Sequence, residues 1–247
     1  MSEPVVAFEN VTKSFGPHKV LDGISFQVMR GQAFCILGRS GSGKSVTIKQ
    51  LVGLIRPDSG QIRVEGEEIT ALEGAELARV RRNMGFLFQY SALFDSISVG
   101  ENVAFPLRRH TKLPEREIRD CAEKKLRRVG LEGIYHKMPA EISGGMRKRV
   151  GLARALVLEP PILLADEPSS GLDPITSREI DELFLDLKHT EGTSMVIVTH
   201  NIPSARRIGD QLAVLDRGRI LAQGSPAELD ASQDPVVREF MRAQGGI

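Results

Sequence analysis

Eight consecutive residues, Gly38-Arg39-Ser40-Gly41-Ser42-Gly43-Lys44-Ser45, carry the spacing G-x-x-x-x-G-K-[ST]. Glycines at these intervals let successive backbone N–H groups curl around phosphate oxygens, and a helix starting where the loop ends adds positive potential. Lys44 is placed to reach the β- and γ-phosphates, and the Ser45 hydroxyl to bind Mg²⁺. The competing reading is a tight structural turn. Farther along, Asp166 and Glu167 end the apolar run Ile162-Leu163-Leu164-Ala165. If the two strands are parallel, both carboxylates face the glycine loop, with Asp166 suited to hold Mg²⁺ through water and Glu167 to polarise an attacking water. An apolar run ending in Asp-Glu is common, and it gains force only from that loop. A third stretch, Ile142-Ser143-Gly144-Gly145-Met146-Arg147, precedes a helical run from Lys148 to Leu158. Ser143 is a natural N-cap and the two glycines admit an anion to the backbone amides, although flexible turns share this composition.

These loops need elements to position them. Ala33 to Leu37 reads as a strand leading into the glycine loop, and Lys44 to Leu54 as the helix leaving it. Gln61 to Val64 alternates like a strand after the turn Arg56-Pro57-Asp58-Ser59-Gly60. The continuous apolar runs at 161–165 and 194–199 suit strands covered on both faces of a parallel sheet. Between roughly 90 and 158 strand-like runs disappear, which predicts a helical lobe. Its clearest helix follows Pro114, places Ile118, Cys121, Ala122, Leu126 and Val129 on one face, and stops at Gly130. From Ala227 on, one or two short helices end in a frayed Gly245-Gly246-Ile247. The expected division is a core of 1–88 and 159–226, a helical segment of 89–158 and a tail of 227–247.

Composition narrows the function classes. The chain has 247 residues, 41% of them hydrophobic and 26% charged, with a net charge of +1, so no global field recommends a nucleic-acid partner. The basic residues between 108 and 128 alternate with Glu115, Glu117, Asp120 and Glu123, as on a solvated helix face. Apolar runs are too short to cross a bilayer, and the first residues show no secretory pattern, so a cytoplasmic address is expected. Cys35 and Cys121 match no zinc or redox spacing and read as buried, reduced thiols.

Taken together, the three loops resemble the ATP-binding cassette ATPases, whose signature loop reads Leu-Ser-Gly-Gly-Gln and lies about 20 residues before the Asp-Glu strand. The resemblance covers nearly the whole chain. It implies an α/β P-loop NTPase fold, with a mixed, mainly parallel sheet, N-terminal antiparallel strands and an inserted helical subdomain. It further implies an ATPase that uses ATP and Mg²⁺. Phe15 occupies the place of the aromatic that stacks on adenine, Gln89 that of the Q-loop glutamine, Asp173 in Ser170-Gly171-Leu172-Asp173 that of the D-loop aspartate, and His200 that of the switch histidine. Alone, a Phe is more often core and a His more often structural.

The site so implied takes ATP on Phe15, Gly38, Arg39, Ser40, Gly41, Ser42, Gly43, Lys44, Ser45 and Val46. From an opposite subunit come Ser143, Gly144, Gly145, Met146 and Asp173. Ser45, Gln89 and Asp166 would hold the metal, with Glu167, His200 and Gln89 catalytic. Ile142, Met146, Val46 and Gly171 depart from the usual pattern while keeping the backbone donors. A signature loop that serves the opposite nucleotide implies a homodimer, and the large apolar residues of Phe88 to Phe94 fall where the family docks a membrane permease.

More specifically, the stretches 88–114, 138–146 and 171–176 look like the ATPases of the Mla and Mce lipid-transport systems. That likeness implies phospholipid movement between inner and outer membranes from the cytoplasmic face of the inner membrane. An integral permease and a periplasmic MCE-type lipid-binding protein would be the partners. A solute importer would share every nucleotide residue and is the alternative. A cassette machine acting on DNA or ribosomes is disfavoured by the neutral charge and by the single cassette without a coiled-coil insert.

Overall fold

The computed structural model describes residues 3–242, so the expected fraying at Gly245-Gly246-Ile247 lies outside the described residues. In chain order the first elements are β1 (Val6–Phe15), β2 (His18–Val28), β3 (Ala33–Leu37), α1 (Lys44–Leu51), β4 (Ser59–Val64), β5 (Glu67–Glu68), α2 (Gly74–Arg81) and β6 (Met84–Leu87). Then come α3 (Val99–His110), α4 (Glu115–Arg128), a 3₁₀ turn at Pro139–Glu141, α5 (Gly144–Leu156), β7 (Ile162–Asp166), α6 (Pro174–Glu191) and β8 (Ser194–Thr199). The chain continues through α7 (Ile202–Ile208), β9 (Gln211–Asp216), β10 (Arg219–Gly224), α8 (Pro226–Asp230) and α9 (Pro235–Arg242).

Two sheets form, an antiparallel one ordered β2-β1-β4-β5 and a mixed one ordered β10-β9-β3-β8-β7-β6. In the mixed sheet β9, β3, β8, β7 and β6 run parallel, and only β10 is antiparallel to its neighbour. Period-two alternation explains the two cores. Ala33, Cys35, Leu37, Leu163, Ala165, Met195 and Ile197 point to one face, where they join the helices of the 99–156 segment and α6 and α7. Phe34, Ile36, Ile162, Leu164, Val196 and Val198 point to the other, against the antiparallel sheet and α1. Every residue of β3 and β7 is therefore buried, which accounts for their unbroken apolar runs. Stacked rings of Phe8, Phe26 and Phe34, with centroids 4.5 Å and 4.9 Å apart, fill the second core.

Among the described residues no strand lies between β6 and β7. The helices there do not build a core of their own: Val103 and Leu107 of α3, Ile118, Ala122 and Leu126 of α4, and Val150 and Leu156 of α5 continue the core beneath the sheet. Arg108 pairs with Glu101 and Glu115 and Arg119 with Glu123 within this segment, and Arg128 pairs with Asp186 and Glu191 of α6. No described helix is long and apolar enough to cross a membrane.

The parallel registers Leu37 with Thr199, Asp166 with Val198 and Leu87 with Ala165 bring four strand ends to one edge of the sheet. The residues that follow those ends are the glycine loop, Glu167, His200 and Gln89. An open parallel sheet places its ligands at this carboxyl edge.

Candidate functional site

A cleft of about 760 Å³ opens at that edge, lined by Phe15, Gly38 to Gly41, Gly43 to Val46, Gln89, Glu167 and His200. Of the residues expected around one bound nucleotide, the structure brings these together in one wall-to-wall site. Gly38 is required by close approach, since a Cβ there would collide with the Leu215 carbonyl and the Ser42 hydroxyl. Gly43 caps α1 with φ of 111°, a conformation that a side chain strains, and a Cβ there would sit 2.6 Å from Leu21 Cδ2. The first amides of α1, unsatisfied within the helix, thus face the cleft with the positive end of the helix dipole.

Lys44 is buried, and its ammonium donates to the carbonyls of Gly38 at 2.7 Å and Arg39 at 3.1 Å. It also lies 3.6 Å from Glu167 Oε1. The other carboxylate oxygen of Glu167 accepts from Thr199 Oγ1 at 3.1 Å and from the His200 backbone N–H at 3.3 Å, and lies 2.9 Å from His200 Nδ1. Glu167 adopts φ of 49°, the left-handed region that costs a side-chain-bearing residue. This turn swings the carboxylate away from the strand line towards His200. A carboxylate so placed, flanked by an imidazole and open to the cleft, can accept a proton from a bound water.

Ser45 Oγ donates to Asp166 Oδ1 at 3.3 Å, and burial pushes the Asp166 carboxyl above its ordinary range against the opposing effect of that hydrogen bond. The serine hydroxyl and one carboxylate are a sparse set of hard oxygens, with Gln89 on the wall of the same cleft. No group of three or more His, Cys, Asp or Glu able to hold a metal occurs among the described residues. Such a set fits Mg²⁺, which keeps several waters and takes phosphate oxygens for the rest, and does not fit a structural zinc.

The remaining expected residues lie elsewhere. Ser143 caps α5, its hydroxyl accepting from the Met146 N–H at 3.3 Å, and neither it nor Gly144, Gly145, Met146 or Asp173 lines the cleft. Asp173 caps α6, accepting from Ile175 and Thr176 N–H groups at 3.0 Å each, and these bonds with the Thr176 hydroxyl hold its carboxyl below the usual range. The two turns adjoin: a Cβ on Gly145 would meet Thr176 Cγ2 at 2.6 Å. One chain therefore presents a phosphate cleft and, apart from it, an exposed face built from the signature and D-loop turns.

A second, shallower groove of about 340 Å³ is lined by Phe86, Phe88, Phe94, Phe105 and Arg154 among others. Buried Asn102 shapes it, bonding Phe94 through both its backbone groups and donating to the Ile97 and Ser98 carbonyls. Several residues escaped the sequence reading. Val20, Ile202 and Phe240 line the phosphate cleft, the last from α9, where Glu239 pairs with Arg39 at 3.3 Å. Periodicity at 235–242 signals a short helix but carries no information about where it docks. Lys148, buried on α5, also reaches the cleft residues, and burial pushes its ammonium down to about 8.

Fold and site together define a phosphate-loop cassette, and comparison with known proteins places it. The family model described as "ABC transporter" matches residues 21–170. The "Probable ribonucleotide transport ATP-binding protein mkl" of Mycobacterium leprae is 44% identical over 239 residues, 97% of this chain and 69% of that protein. The "Intermembrane phospholipid transport system ATP-binding protein MlaF" of Escherichia coli K12 is 40% identical over 237 residues, 96% of this chain and 88% of that one. A dimeric ATP-binding cassette bound to ADP and Pi after hydrolysis superposes with a TM-score of 0.83 at 32% identity, covering 89% of this chain and 98% of that one. The chain belongs to the ABC transporter family and is an ATPase of that family.

Proposed function

We propose that two copies of this chain form the ATP-driven motor of a transporter that moves phospholipid between the inner and outer membranes. The observation that carries the dimer is the separation of the phosphate cleft from the signature and D-loop face on one chain. Two such chains related by a two-fold axis set the Ser143 turn of each over the nucleotide held by the other, completing two sites at once. The phospholipid cargo is supported by the 40% identity to a named phospholipid-transport ATPase across 96% of this chain.

In this reading the glycine-loop amides and Lys44 bind the β- and γ-phosphates, while Phe15, half-exposed at the rim, takes the adenine. Ser45, Asp166 and Gln89 would hold Mg²⁺, which when bound neutralises phosphate charge. Glu167 accepts the proton of the attacking water, and His200 holds the γ-phosphate side of that water's path. Ser143 to Met146 and Asp173 close on the partner's nucleotide. Loss of the γ-phosphate removes the group that Lys44 of one chain and Ser143 of the other share, so the pair reopens. The segment 89–158 carries this motion, and its aromatic groove seats an integral permease. An MCE-type periplasmic protein completes the assembly at the inner membrane, and nucleic acid is not a partner. Helix α9 flanks the cleft through Phe240.

The 44% identity to a protein named for ribonucleotide transport favours a second reading, the same motor with a solute permease. Isolation of the native complex from membranes, with mass spectrometry of its lipids and co-purifying chains, separates the two. Phospholipid and an MCE-type protein are the expected companions; a permease without either overturns the lipid cargo.

A further inference from the structure

Lys148 lies beside the cleft, and the roles above leave it unused. It lies on α5, five residues beyond the Ser143 cap, and is 5% exposed. Its ammonium donates to the main-chain carbonyl of Gln89 and, at 3.1 Å, to that of Glu167. The Glu167 carboxylate is engaged by Lys44 and His200, so what Lys148 grips is backbone. Burying an ammonium is unfavourable, and a methionine of similar length would fill the same space without that cost. The charge adds a fixed link between two carbonyls on separate elements, the turn after β6 and the turn after β7.

Both turns matter to the site. Glu167 has φ of 49°, and the residues after Gln89 include Ser91 at 62° and Ala92 at 44°, so neither segment is at its own backbone minimum. Donation to the Glu167 carbonyl from one side, and from the Glu167 N–H to the Val198 carbonyl at 2.8 Å on the other, clamps the peptide that aims the carboxylate. The same ammonium holds the peptide that carries the Gln89 side chain. Because Lys148 is on the helix that Ser143 starts, any shift of the signature turn reaches both.

We propose that Lys148 is a positioning residue for hydrolysis, tying the Gln89 and Glu167 backbones to α5 so that engagement of the signature turn sets the geometry of the water-activating carboxylate. This rests on the reading of Glu167 as the base. Lys148 does not line the cleft, so it acts on turnover and not on ATP binding.

The test is steady-state ATP hydrolysis by the full chain, purified from membranes in its native assembly, for Lys148→Met, Glu167→Gln and the double variant, with nucleotide affinity and melting temperature measured alongside. Lys148→Met is expected to lower kcat at least about tenfold while KM for ATP stays within about threefold, since only the transition state loses. The double variant is expected to be no slower than Glu167→Gln alone, because the lysine acts through that carboxylate. Should Lys148→Met fail to fold, Lys148→Gln carries the test, its shorter amide being unable to span both carbonyls, with the same tenfold loss expected. Turnover within twofold of the parent, a parallel rise in KM, or a further tenfold loss in the double variant overturns the proposal while leaving Glu167 in place. Full turnover by Glu167→Gln overturns the base assignment itself and this inference with it.

Discussion

The phosphate cleft and the signature–D-loop face are both made of a glycine-bearing turn opening a helix, yet their surroundings differ. In the cleft, Lys44 and Glu167 are buried and each is held by several groups of the same chain. On the other face Ser143 is exposed and its hydroxyl bonds its own helix, Asp173 does the same, and Ile175 beside it is 75% exposed. The cleft is preorganised by one polypeptide, so its donors are in place before a ligand arrives. On the exposed face the Met146, Ile175 and Thr176 amides are met by the caps of their own turns, Ser143 and Asp173. The contrast teaches that one glycine-bearing helix start can be held by distant segments of its own chain while a second is held by its own turn alone.

The comparison can be broken most sharply at Glu167. Glu167→Gln is expected to cut kcat by at least about 10²-fold with ATP affinity retained, leaving a closed dimer detectable by light scattering. Turnover at the parental rate would remove the carboxylate from the chemistry. Ser143→Arg is next: a bulky cation at an exposed cap should leave nucleotide binding to the monomer unchanged but block pairing, with turnover down about tenfold or more. If that variant dimerises and hydrolyses ATP like the parent, the exposed face is not half of a site. The smallest effect is expected at the rim. Arg39 and Glu239 form an ion pair with both side chains about two-thirds exposed, at 68% and 72%. Such pairs contribute at most about 1 kcal/mol. Glu239→Ala should therefore shift KM for ATP less than about fivefold, and a larger change would make α9 part of the binding machinery.

What could be read from the chain alone follows the range of the forces involved. The glycine loop, the Asp166-Glu167 pair and the Ser143 cap are local patterns, because backbone φ, helix capping and strand burial depend on residues within a few positions. The helix after Pro114 was legible for the same reason, and its Ile118, Ala122 and Leu126 do face the core. Phe240, Asn102 and Lys148 were not. Each is an ordinary residue locally, on a helix; Phe240 and Lys148 gain their places from contacts with segments far away in the chain, and Asn102 from the irregular turn at 94–98 that its side chain bonds. Nor did periodicity show that the 99–156 helices share the sheet's core, since an amphipathic stripe reveals a buried face without naming what covers it.

The amino-acid order by itself determined the glycine loop, the carboxylate pair that follows the strand and a second glycine-bearing turn capped by Ser143. Tertiary structure alone decided that four strand ends converge on one cleft, that the second turn does not line it, and that a buried lysine joins the Gln89 turn to the end of β7. Local sterics choose a residue's conformation, but strand register and layer packing choose its neighbours, and those are settled by hydrophobic contacts between segments far apart in the chain.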